Sequence, residues 1–192
     1  QPLNELVDFH GGSTPSKKNK DFWTDNGICW FTSKDLKFDE LADSLDHITK
    51  KATSETALKP VSEKKSIAIS LRGMSLAHRV PMSIIPGNSC VNQDLKALIP
   101  KEDMDIYVLF TLLKRDEKFL LPKVSSSAHG TRKLDFPYIK TLSVPKLKID
   151  QICRLKQRLQ GIQQLKNCLV RKLALLQELQ RSLSARAFTG QL

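Results

Sequence analysis

The chain has 192 residues, of which 40% are apolar. That is enough for one ordinary core and too much for a disordered tail. A net charge of +11 and a pI near 9.6 point to a polyanionic partner, with nucleic acid ahead of an anionic membrane surface.

No apolar run approaches the roughly 18 residues of a membrane-spanning helix, and nothing resembles a signal peptide. The cysteines Cys29, Cys90, Cys153 and Cys168 form no C-x-x-C pair, and no histidine stands at zinc-ligand spacing from any of them. They read as reduced, partly buried thiols of a cytoplasmic protein, with no metal and no cofactor implied.

The first informative stretch is HGGSTPSKKNKDFWTDNGICWFTSKDL, residues 10–36. Its glycines and lysines suggest a phosphate loop. A P-loop, however, needs G-x-x-x-x-G-K-[ST], and here Lys17-Lys18 is followed by Asn19; a G-x-G-x-x-G is also missing. Gly11, Gly12 and Pro15 therefore read as turn residues, and Phe22, Trp23 and Trp30 as core.

Short β-rich runs follow at 28–32 (ICWFT), 66–71 (SIAISL), 80–85 (VPMSII) and 139–144 (IKTLSV). One helix is predicted from about Asp103 to Lys114, with Asp103 and Asp105 at its positive end. Gly and Pro punctuate the text as far as Pro145. Residues 1–147 thus read as an α/β or α+β globular domain with long loops.

Composition changes near residue 148. From Ile149 to Arg186 there is no proline and one glycine, Gly161. With Ile152 as heptad position a, that position holds Ile152, Leu159, Lys166, Leu173, Gln180 and Ala187. Position d holds Leu155, Ile162, Leu169, Leu176 and Leu183. An apolar d row with polar breaks at a predicts a coiled-coil helix over 148–192 that needs a partner helix. From 151 to 186 it would run about 54 Å. Between those residues eight cations face a single acid, Glu178, a balance that suits either a solvated face or a DNA duplex.

Chemistry is hard to find. There is no G-x-S-x-G elbow and no motif for binding S-adenosylmethionine. His10, His47, His78 and His129 are scattered and read as loop or surface residues. Binding remains. Lys17, Lys18, Lys34, Arg72, Ser75, His78, Asn88, Asn92, His129, Thr131, Arg132 and Lys133 lie in loops rich in hydroxyls, amides and cations. Such groups contact phosphates and read base edges, although Asn, Ser and Gly equally build turns.

Four stretches together resemble the specificity subunits of Type I restriction–modification systems. Residues 3–36 carry G-G-x-T-P (Gly11, Gly12, Thr14, Pro15), the aromatics Phe22 and Trp23, and W-x-T-x-x-D-L (Trp30, Thr32, Asp35, Leu36). Residues 70–100 carry Arg72-Gly73, then Asn92-Gln93 and an apolar tail to Ile99. Residues 129–152 lead into the helix, and 179–190 close it with Ala187, Phe188 and Gly190.

The resemblance implies a target-recognition domain that reads half of a split DNA site. It implies a helix pairing antiparallel with a second one, and partner chains that hold the methyltransferase and restriction activities. This chain would be a non-catalytic subunit. Members of that family usually carry two such domains and two helices. A single set implies either a half-length subunit, homodimeric through Ile152, Leu155, Leu159, Ile162, Leu169, Leu173, Leu176 and Leu183, or part of a longer chain. A coiled-coil adaptor whose head binds another protein is the alternative reading.

Overall fold

The computed structural model describes residues 1–101, 104–126 and 130–188. It divides into two compact units, Gln1–Lys148 and Ile149–Leu192.

In chain order the first unit contains β1 (Val7–Gly11), β2 (Trp23–Thr24), β3 (Ile28–Phe31), β4 (Asp46–Ile48) and the short helix α1 (Lys50–Glu55). Next come β5 (Ser66–Ser70), β6 (Met82–Ile85), β7 (Cys90–Val91), β8 (Leu95–Pro100) and α2 (Ile106–Leu120). The hairpin strands β9 (Val124–Ser126) and β10 (Arg132–Leu134) and helix α3 (Phe136–Lys140) complete it. The second unit is α4, Ile149–Phe188.

The core is a fully antiparallel sheet in the order β1-β8-β5-β6. Strand β5, SIAIS, is buried along its whole length. Because side chains alternate across a strand, its two faces differ. Ile67 and Ile69 share one face with Leu98, Ile84 and Met82, their registered neighbours. Helix α2 lies against β5 and β6 with Val108, Leu109, Leu112 and Leu113 buried. With Ile85 and Leu95 paired at its ends, the other face carries small residues at its centre, Ser66, Ala68, Ser70, Ser83 and Ala97. Their size lets a second layer approach: Phe31, Leu36 and Val91 join Ala68, Leu95 and Ala97 in one apolar cluster. That layer is the sheet β2-β4-β3-β7, in which β3 and β7 run parallel.

Helix α2 begins where an acid can cap it. The Asp105 carboxylate accepts hydrogen bonds from the amides of Tyr107 and Val108, at 3.0 and 3.2 Å. The helix then continues past the predicted Lys114 to Leu120 and stops before Pro122; Asp103, the other predicted start residue, lies outside the described residues.

A second correction concerns 139–144. Its β-branched residues read as a strand, but Asp135-Phe136-Pro137 starts helix α3, with the proline in its first turn. Only the isolated bridge between Ser143 and Pro2 is strand-like there.

The glycines of the opening stretch also act differently from the turn role read in the sequence. Gly11 is a strand residue paired with Lys96. A Cβ on Gly12 would lie 1.6 Å from the Val91 carbonyl oxygen. Gly12 is therefore a point of close backbone approach between the two sheets, which a side chain would force apart. Phe22 and Trp30 are buried as expected. Trp23 is half-buried and meets Trp30 edge to face, with centroids 5.0 Å apart.

The expectation of four partly buried thiols fails for two of them. Cys90 is buried and Cys29 half-buried, but Cys153 and Cys168 on α4 are exposed. Burial pushes the Cys90 thiol up to about 12, which leaves it protonated and inert near neutrality. No helix among the described residues is long and apolar enough to cross a membrane.

Candidate nucleic-acid interface

Three loops meet at the end of the central sheet where β5 finishes. The first follows β3. Its buried Asp35 accepts hydrogen bonds at one carboxylate oxygen from the Thr32 amide (2.7 Å) and hydroxyl (2.8 Å). At its other oxygen it accepts from the Leu45 amide (2.8 Å). A carboxylate with three such donors makes a rigid turn of a polar segment. That turn holds Ser33 and Lys34 on its outside, with Lys34 exposed.

The second loop is Arg72–Ser75. Gly73 has φ 142° and ψ 161°, a conformation that only glycine takes without strain. It faces the first loop: a Cβ built on Gly73 would lie 3.7 Å from the Ser33 hydroxyl and 3.8 Å from that of Ser75. The Ser70 hydroxyl donates to the Arg72 carbonyl at 2.9 Å and fixes the chain as it leaves β5. Arg72 and His78 are exposed, and Ser75 is half-buried.

The third element is the β9–β10 hairpin. The Gly73 amide donates to the Arg132 carbonyl (3.1 Å), and the Leu134 amide donates to the Leu71 carbonyl (2.9 Å). Arg72 and Lys133 are bridge partners. The hairpin thus continues the exit of β5 as an added ribbon and places Thr131, Arg132 and Lys133 beside Arg72. Lys133 is paired with Asp135 at 2.6 Å, so it is partly neutralised; Thr131 is exposed and Arg132 half-buried. His129 lies outside the described residues.

The β7–β8 connection reaches the same end. Asn92 is buried, and its side chain closes a turn by accepting from the Asp94 amide at 3.1 Å. The exposed group there is Gln93, whose amide oxygen accepts from the Thr14 hydroxyl at 2.6 Å. Lys17 and Lys18 sit on the loop that this contact helps to anchor. The indole N–H groups of Trp30 and Trp23 donate to the Ser13 and Ser16 carbonyls of the same loop, at 3.0 and 3.2 Å. Lys17 stands 5.8 Å above the Trp23 ring and lines an open cleft with Lys20, Asp25, Asp46 and His47.

Asn88 stands apart. Ser66 pairs with Ile85 at one end of the β5–β6 ladder and Ile69 with Met82 at the other. Asn88, three residues beyond Ile85, is therefore at the end of the sheet opposite Arg72. Its φ of 58° makes it a turn residue.

Two of the four histidines differ from the loop or surface positions expected of them. His10 is on β1, opposite Ala97, with Nδ1 buried and unpartnered. Burial first, and the nearby Lys96 cation second, hold it below its ordinary value, so it is neutral near pH 7. His47 is on β4 directly opposite Cys29. No spacing rule reveals that pair, because strand register makes it.

On α4, Ile162, Leu169, Leu173, Leu176 and Leu183 are between 44% and 63% exposed. Ile152, Leu155 and Leu159 are half-buried.

The family model for the Type I restriction modification DNA specificity domain matches residues 1–176. The specificity subunit of the Type I restriction enzyme EcoR124I/EcoR124II of Escherichia coli is 27% identical over 165 residues, which are 86% of this chain and 41% of that one. The solved HsdS subunit from Thermoanaerobacter tengcongensis has a TM-score of 0.59 at 20% identity, covering 100% of this chain and 45% of that one. A chain from a structural study of complex assembly and conformational transition of the type I R-M system has a TM-score of 0.60 at 18% identity, again covering 100% and 45%. At these identities the structural likeness is one of fold. The chain spans less than half the length of these relatives.

Asp35→Ala leaves the amides of Thr32 and Leu45 without their acceptor. It is expected to cost about 2–4 kcal/mol of unfolding free energy. Urea denaturation measures this, and amide exchange is expected to quicken across residues 32–45.

Proposed function

The chain belongs to the Type I restriction–modification DNA specificity family, and on that premise we propose that its first unit reads a short block of duplex DNA with the loops at the Arg72 end of the central sheet. The observation that carries this reading is the meeting of Lys34, Arg72, Thr131 and Arg132 on three neighbouring loops, of which the Arg72 loop is joined to the hairpin by backbone hydrogen bonds and faces the Lys34 loop at Gly73. Cations on a rigid frame meet two needs of the task. Phosphate contacts set the register, and Arg or an amide held at a fixed angle reads a base edge. Gln93 and Ser75 are the uncharged readers at this rim. Lys17 and Lys18 extend the basic surface toward the second sheet and serve phosphates.

Asn92 and Asn88 fall outside this interface. The side chain of Asn92 is committed to a turn, and Asn88 is at the wrong end of the sheet.

In this proposal the chain performs no reaction of its own. Methylation and cleavage reside in partner chains, a modification subunit and a restriction subunit, and this chain supplies the address. Helix α4 supplies assembly. The exposed row Ile162, Leu169, Leu173, Leu176 and Leu183 pairs with a second helix, either of another copy or of a longer chain. Covering the exposed half of five such side chains is worth roughly 5 kcal/mol, at about 1 kcal/mol each.

Two measurements test the two halves of this reading. Removing a phosphate contact lowers the salt dependence of duplex binding by about 0.9 in the log–log slope, and removing a base contact costs about 1–3 kcal/mol. Lys34→Ala and Arg72→Ala are each expected to weaken duplex binding within those limits, whereas Asn88→Ala is expected to leave it unchanged. Equal affinity for all four proteins in a fluorescence titration would move the interface elsewhere. For the helix, Leu169→Asp with Leu173→Asp is expected to leave only monomer in sedimentation at micromolar concentration. A dimer surviving both changes would reject the seam.

A further inference from the structure

We propose that Cys29, Asp43 and His47 form a zinc-binding site on the second sheet. The antiparallel register of β3 and β4 puts Cys29 directly opposite His47. Directly opposed residues share a face, with their Cβ atoms about 4.5–5.5 Å apart. The loop between the two strands brings Asp43 over them. Its Oδ1 lies 2.7 Å from His47 Nε2 and accepts from the Cys29 thiol at 3.3 Å. The thiol sulfur, the imidazole nitrogen and the carboxylate oxygen all lie within 4.8 Å of one another. In a tetrahedral zinc site, bonds of about 2.0–2.3 Å set the ligand atoms roughly 3.5 Å apart. The triad is thus near coordination distance already, and the ion takes the place where the carboxylate oxygen now sits between the other two.

The donors differ in mobility in the way such a site needs. His47 is only 13% exposed at its side chain, and Asp43 is 70% exposed. Two ligands are therefore held by strand pairing, while the third, on the exposed loop, can withdraw by about 2 Å, one zinc–oxygen bond length, to admit the ion. The Ser44 amide donates to Asp43 Oδ1 at 2.9 Å, and the Ser44 hydroxyl donates to the Asp46 carbonyl at 2.7 Å; together these orient the loop from outside. The exposed side of Asp43 leaves the fourth position to water.

One thiolate, one imidazole and one carboxylate suit zinc, which accepts all three donor types. Calcium and magnesium demand oxygen alone. As the metal–sulfur bond forms, the Cys29 thiol loses its proton to solvent, and His47 binds as the neutral ring through Nε2.

A bound ion would fasten the loop before β4 to the sheet, and that loop also contains Leu45, whose amide holds Asp35. It would also add positive charge beside the cleft lined by Lys17, Lys20 and His47. The inference does not depend on what the chain binds.

Cobalt titration of the reduced full chain tests it, because cobalt occupies zinc sites and reports its ligands by colour. The wild-type protein is expected to take up one equivalent, with a thiolate-to-cobalt charge-transfer band and the strong visible bands of four-coordinate cobalt, both discharged by zinc. Cys29→Ser is expected to lose the charge-transfer band, and His47→Gln to bind more than about tenfold more weakly. The double variant Cys153→Ser, Cys168→Ser is expected to keep the wild-type spectrum. Zinc is expected to raise the thermal midpoint of the wild type and not that of Cys29→Ser, which separates lost binding from lost folding. No charge-transfer band in the wild type, a band that survives Cys29→Ser, or one that disappears with Cys153 and Cys168 would overturn the site.

Discussion

Strand β5 is covered on both faces, and that constraint shapes the rest of the first unit. Its isoleucines need a thick apolar partner and receive helix α2. Its serines and alanine, with Ser83 and Ala97 beside them, leave a shallow face over which the second sheet can settle. Gly12 marks how closely the layers meet, with no room for even a methyl group against the Val91 carbonyl. A strand so enclosed has a fixed end. The chain that leaves it, Leu71–Gly73, is held by the hairpin on one side and faces the Asp35 loop on the other. The basic rim inherits its rigidity from a strand that carries no charge.

Much of this was legible in the sequence. Strands β3, β5 and β6 stand out as runs of β-branched and aromatic residues, and the long helix is plain from its leucine spacing. The failures have physical causes. Strand β1, VDFHG, mixes an acid and a histidine into an edge strand, and its identity rests on its pairing with β8. Residues 139–144 have strand-like composition, but a local start signal, Asp135 with Pro137, overrides it. Chemical type marks the loop residues in the sequence. Type alone does not tell Arg72, which stands at the gathered end, from Asn88 at the opposite end, nor an exposed Gln93 from a buried Asn92. The pairing of Cys29 with His47 was invisible for the same reason: residues 18 positions apart become neighbours only through register.

The second unit follows a different logic. Its helix has no buried residue, and its leucines stand in a row. Such a surface is stable in isolation only at the cost of leaving its apolar stripe in water. Covering that stripe would drive the proposed helix pairing, and Lys166 and Gln180 at a positions would fix its register. In the proposed reading, DNA recognition and assembly would rest on separate residues, so each could be disabled without the other.

The proposed interface stands or falls on whether the loops at the Arg72 end of the sheet carry sequence information. Selection from a random duplex library, with the chain assembled on a modification subunit, tests it most directly. A short sequence block is expected to be enriched, and that enrichment is expected to be lost when Lys34, Arg72 and Arg132 are all replaced by alanine while the assembly stays intact. A library that emerges unenriched, or the same block recovered by the triple variant, would contradict it.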